Sequence, residues 1–200
     1  GDGDGDGDGD GDGDDETGGL PGSLDLQVIV GSDDAEENQS GEVMLASTDL
    51  EMADDPQNWG SDQVVGIRFQ VVNIPPGSTI TSAVLDFTVD EPSTAPTDLL
   101  IQAQSGPDPA TFADGPMDIS SRPRTSTSAS WYDIPPWPEI GFVESTPDLS
   151  SVVQEVVDGT DWAAGQSLVF LITGSGARIA SSYDGNPTRA PALRVEWIGP

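Results

Sequence analysis

The chain has no cysteine, no histidine and no lysine. Without cysteine there are no disulfides, thiolate metal sites or cysteine nucleophiles. Without histidine there is no Ser-His-Asp triad, no histidine general base and no histidine-ligated zinc or copper. Most hydrolase chemistry is removed with them, while acid-pair mechanisms remain. The six bases are all arginine, set against 36 acids, for a formal net charge of −30 over 200 residues. Such a chain cannot replace the counterions of a phosphate backbone, so nucleic acid is excluded as a partner. Anionic membrane surfaces are disfavoured for the same reason. No apolar run approaches ~20 residues, so no transmembrane helix and no membrane insertion are expected. No signal peptide stands at Gly1, and the expectation is a processed chain or a piece of a longer one.

What is present is acid, glycine, proline, serine and threonine. That balance points to an extracellular or cell-surface protein. Residues 1–17 form an acidic Gly-Asp repeat, 18–23 (GGLPGS from Gly18) a flexible linker, and 24–200 a folded domain. Within the domain, alternating or continuous apolar runs predict strands at 24–30, 63–74, 83–91, 97–105 and 166–174. One or two more are expected within 43–52, and two at the C-terminal end. GSDDAEENQSGE, from Gly31, reads as a polar loop. One short helix of about three turns is expected, capped by Thr146 or Asp148, with Leu149, Val152, Val153, Val156 and Val157 on one face and Gly159 as its stop. Many short strands, one helix and Pro/Gly turns predict an all-β fold, a jelly-roll β-sandwich preceded by a low-complexity segment.

GIRFQVVNIPPGSTITSAVLDFTVDE, from Gly66, resembles the signature of the secreted bacterial β-sandwich modules called DNRLRE-like domains. The distal segments DLSSVVQEVVDGTDWAAGQSLVFLITG and ARIASSYDGNPTRAPALRVEW fit the same pattern of short helix, buried strand and closing strands. The likeness spans roughly residues 33–197, with 106–145 longer and richer in Pro and aromatics than the family core. The resemblance implies a jelly roll, secretion and a non-catalytic role; some such relatives bind polysaccharides, and bound calcium is common in such folds.

The Gly-Asp repeat is the strongest chemical signal. Nine acids lie between Asp2 and Glu16 with no base among them. In extended chain every Asp would fall on one face at ~6.6 Å spacing, which is unfavourable without cations. DxDxDG is also the first half of a calcium loop. Asp2, Asp4, Asp6, Asp8, Asp10, Asp12, Asp14 and Asp15 are therefore candidate ligands for several Ca2+ ions. The SDDAEE cluster offers a second candidate set, Asp33, Asp34 and Glu36, closed by another loop through Asp49, Asp54, Asp55 or Asp184. In WYDIPPWP, Pro-rich chain around Trp131, Tyr132 and Trp137 makes a candidate glycan platform, against the alternative that the tryptophans, with Trp59 and Trp162, cover the core. Arg68, Arg178 and Arg194, in predicted strands, are expected to pair with carboxylates. The function expected is a non-catalytic assembly module that binds calcium and self-associates into a fibre or surface layer. The alternative is a carbohydrate-binding accessory module of a secreted enzyme, with a polysaccharide as partner.

Overall fold

The computed structural model describes residues 19–55 and 60–200. In chain order the strands are β1 (Pro21–Gln27), β2 (Asp34–Glu37), β3 (Val43–Met44), β4 (Asp49–Ala53), β5 (Val64–Val72) and β6 (Thr79–Glu91). Then follow β7 (Asp98–Ala103), β8 (Ala129–Trp131), β9 (Val143–Ser145), helix α1 (Ser150–Val157), β10 (Gln166–Ser175), β11 (Ala177–Ser181) and β12 (Ala192–Ile198). They form two antiparallel sheets. One runs β1-β12-β6-β11-β4, with β9 also paired to β6; the other runs β3-β2-β5-β10-β7-β8. Strands β4 to β7 alternate between the sheets, so the chain folds as the expected all-β jelly-roll sandwich, with one α-helix among the described residues.

Side-chain period explains the layers. In β6, Ala83, Leu85, Phe87 and Val89 face the core while the residues between them are polar or half-buried. The continuous apolar run of β10 has a different cause. Leu168, Phe170 and Ile172 enter the main core, whereas Val169 and Leu171 face a second apolar cluster with Phe112 and Ile119. The long Pro- and Ser-rich segment after β7 therefore covers the outer face of this sheet, and β10 is buried on both sides. Gly66 of β5 admits the Phe112 ring: a Cβ there would lie 2.5 Å from it.

Three local expectations are corrected. Strand β1 begins at Pro21, inside the segment read as linker, because it pairs with β12 in the register Pro21↔Ile198. Proline is tolerated on this edge strand, and Gly22 leaves room for the Trp197 ring. The helix has eight residues rather than three turns. Asp148 Oδ1 accepts the amides of both Ala83 on β6 and Ser150, so the helix starts only after that tie. Its last residues stay right-handed through Asp158 (φ −76°), and Gly159 N–H closes a tight turn onto Val156 O. Lastly, the acidic stretch read as a loop contains β2, held between β3 and β5.

Candidate functional site

Strand alternation divides the SDDAEE acids between two faces. Asp33, in the turn before β2, and Glu37 face outward; Asp34 and Glu36 face the inter-sheet space. Asp33 is fully buried, and Arg68 Nη1 donates to both its carboxylate oxygens at 2.9 Å. Gln70 Nε2 (2.7 Å) and Thr111 Oγ1 (2.6 Å) donate to it as well. Arg68 also reaches Pro109 O and Ser167 Oγ, so this ion pair pins the covering segment to the sheet. Glu37 Oε2 accepts the amides of Ile119 (2.7 Å) and Ser120 (3.0 Å). The expected single site of Asp33, Asp34 and Glu36 is thus corrected: Asp33 already has its partners, on the opposite face from the other two.

The inward acids are incompletely satisfied. Asp34 Oδ2 accepts the Tyr183 amide at 2.7 Å, but its buried Oδ1 has no hydrogen-bond donor. Burial pushes its carboxyl up to about 7, the Tyr183 amide works against the rise, and the charges of Asp184 and Asp33 add to it. Glu36 reaches the free edge of β4, where Oε1 accepts the Glu51 amide at 2.6 Å. Its Oε2 is buried without a donor. Glu36 is pushed up to about 9, by burial first and then by the Glu51 carboxyl, which meets it. Glu51 is itself raised by burial and by Asp49 and Asp55, although sharing with Glu36 lowers it. Asp49 is raised by burial, then by Asp90 and Glu91.

The result is a row of acids along the margin where β2 and β4, from opposite sheets, approach each other. The arginines are engaged elsewhere. Arg68, Arg122 and Arg194 are in ion pairs with Asp33, Asp118 and Asp86. Arg124 feels the charge of Glu37, and Arg189 lies beside Gly141. Arg178, expected to pair with a carboxylate, is buried among backbone carbonyls instead. Among the described residues no three carboxylates gather as a ready-made metal shell; the acids stand as neighbouring pairs. Glu51 was not singled out by the sequence reading. Its signal was present in STDLEM, where Leu50 and Met52 alternate with Asp49 and Glu51 on a two-residue period. The repeat acids, Asp2 to Asp15, and Trp59 lie outside the described residues.

The candidate glycan platform is not formed. Trp137 is fully buried and Trp131 is 8% exposed. The Trp131 ring stacks on Phe87 with centroids 6.5 Å apart, and its centroid lies 6.1 Å from that of Trp137. Only Tyr132 is exposed. Ser93 and Trp137 exchange backbone hydrogen bonds, which draws the Pro-rich segment onto the sandwich and turns its tryptophans inward. Trp162 is buried too, with Nε1 donating to Ile74 O. Replacing Trp137 with Ala should cost about 3–5 kcal/mol of stability. Thermal unfolding measures this, and an unchanged midpoint would return Trp137 to the surface.

A cleft of about 240 Å³ lies beside α1, lined in part by Glu155, Asp161 and Trp162. Hydrogen bonds from Thr127 and Ser126 hold Glu155 down at about 2. No protein-family model matches the chain, and no curated protein matches it by sequence.

Proposed function

We propose that the chain is a non-catalytic, extracellular jelly-roll module whose Gly-Asp repeat binds calcium and thereby lets copies pack against one another. The observation that carries this reading is uncompensated acid: 36 carboxyl groups against six arginines, with three of those arginines in ion pairs inside the domain. Neutralisation must come from outside, and oxygen-rich sites of this kind suit a hard divalent cation. Unfilled, the repeat repels itself and its copies; filled, it can bridge them. Burial of Trp131 and Trp137 removes the main argument for a sugar-stacking surface.

The test is titration of the chelated full chain with calcium, by calorimetry and sedimentation in parallel. Several ions should bind and the sedimentation coefficient should rise. Changing the repeat's Asp residues to Asn should abolish both. An unchanged association state with and without calcium would reduce the repeat to a tether. Binding to a polysaccharide that survives the Asn changes would favour the accessory-module reading.

A further inference from the structure

We propose that a divalent cation, calcium by its ligand chemistry, binds between Glu36 and Glu51 and staples the two sheets together at the free edge of β4. The inference rests on the calcium reading above for the identity of the ion, but it uses different residues. Glu36 is 1% exposed and comes from β2; Glu51 comes from β4, in the other sheet. One oxygen of Glu36 is engaged by the Glu51 amide, and the other is buried with no hydrogen-bond donor among the described residues. The side chains of Glu36 and Glu51 meet, so two carboxyl groups face each other across the two sheets. A buried carboxylate facing another carboxylate is strongly unfavourable unless something positive lies between them.

The described residues supply nothing positive there. The chain has no lysine or histidine, and the neighbours acting on Glu51 and Asp49 are further acids: Asp55, Asp90 and Glu91. One proton shared by Glu36 and Glu51 would leave that surrounding charge in place. A doubly charged ion neutralises both carboxylates and relieves the acids beyond them. Every donor within the group is oxygen, including the Ser47 hydroxyl, which contacts Asp49 at 3.4 Å and acts on Glu36. Such a set selects a hard cation. With two carboxylates, a hydroxyl and water reaching the half-buried Glu51, calcium's irregular shell fits better than the strict octahedron of magnesium. So sparse a shell belongs with the weak calcium sites of extracellular modules, with Kd around 0.1–1 mM.

The experiment is done on the full chain with the Asp residues of the repeat, Asp2 to Asp15, changed to Asn, so that ions on the repeat do not contribute. Thermal midpoints are compared in chelator and in excess calcium, on the order of 10 mM, well above the expected Kd. The ion should raise the midpoint by about 3–10 °C. Glu36→Gln and Glu51→Gln, each added to that background, should lose the rise. The amide oxygen introduced by Glu36→Gln still accepts the Glu51 N–H, and Glu51→Gln leaves that backbone N–H in place, so the pair of variants guards against simple misfolding. A midpoint indifferent to calcium, or a rise that both Gln variants keep, would overturn the proposal and leave a proton-sharing acid pair. Neither result bears on the repeat, whose own test is association of the native chain.

Discussion

In chelator, the sandwich should lose stability as pH rises from 5 to 8, against the usual expectation for an acidic protein near neutrality. The cause is the two inward carboxyls. Asp34 is raised from 3.8 to about 7 and Glu36 from 4.5 to about 9, both by burial first. Glu36 holds its proton in the folded chain across this window and Asp34 up to about pH 7, whereas both are ionised in the unfolded chain. A group whose folded value is raised contributes stability that is complete below its unfolded value and disappears as pH climbs through the folded value. For Asp34 the loss between pH 5 and 8 is on the order of 3 kcal/mol, or roughly 6–12 °C in midpoint for a domain of this size. Glu36 adds to the decline throughout the window and carries it on to about pH 9. Groups held low, such as Asp86, Asp148 and Glu155, act with the opposite sign, but below this window. Ordinary carboxylates are already ionised above pH 5, so general charge repulsion is nearly constant here. Calorimetry in chelator at several pH values across the window measures the slope. Asp34→Asn should make the slope shallower below about pH 7 and leave the Glu36 part, and added calcium, which competes with the proton for Glu36, should make it shallower too. A midpoint that is level or rises toward pH 8 would refute the assignment.

Arg178→Lys should destabilise the fold by about 4 kcal/mol or more, despite keeping the charge. The guanidinium is 1% exposed and has no ion-pair partner among the described residues. Its Nε donates to Pro135 O at 3.2 Å, and Nη1 donates to Ala95 O (2.8 Å), Ala177 O (2.7 Å) and Thr97 Oγ1 (2.7 Å). Nη2 donates to Ile134 O. One side chain thus ties β11 to the segments before β7 and after β8, the second of which carries Trp137. An ammonium group has three donors and no planar fork, so it cannot reach these acceptors together. Each buried acceptor left alone costs about 1–3 kcal/mol. The midpoint should fall by roughly 8–16 °C, and tryptophan emission should shift red as the Trp137 segment loosens. An Arg178→Lys variant that melts together with the parent would show that the carbonyls find other donors.

The architecture was legible because its strands keep a two-residue period on one buried face, as β6 does, and because IPPGS and DGNP mark turns. The helix face was also legible, but not its start, because nothing local reveals that Asp148 is tied to Ala83, on a strand far back in the chain. The acid site was only half legible. A run such as SDDAEE has low strand propensity and reads as solvated chain. It becomes a buried strand because β5 and β3 pair with it on both sides, with Arg68, Tyr183 N–H and Glu51 N–H meeting its carboxylates from distant positions. The aromatic segment shows the same limit. Prolines fix extended backbone in WYDIPPWP, but they do not say which way the rings face. That is decided by Phe87 and the backbone of Ser93.

The pairing of the first strand with the last has a mechanical consequence. Pro21 lies opposite Ile198, and Gly199 N–H donates to Leu20 O at 2.8 Å. The two ends of the sandwich therefore leave side by side. Force applied between them pulls across the β1–β12 ladder and loads its hydrogen bonds one after another, as a zipper opens. Strands loaded along their length would share the force among all the bonds at once. In a row of such modules under tension, the seam of each would open at low force, beginning at Pro21 and Ile198, before the core between the sheets was disturbed. A module of this construction bears load well only when it is held by its faces, or when the β1–β12 seam itself is clamped.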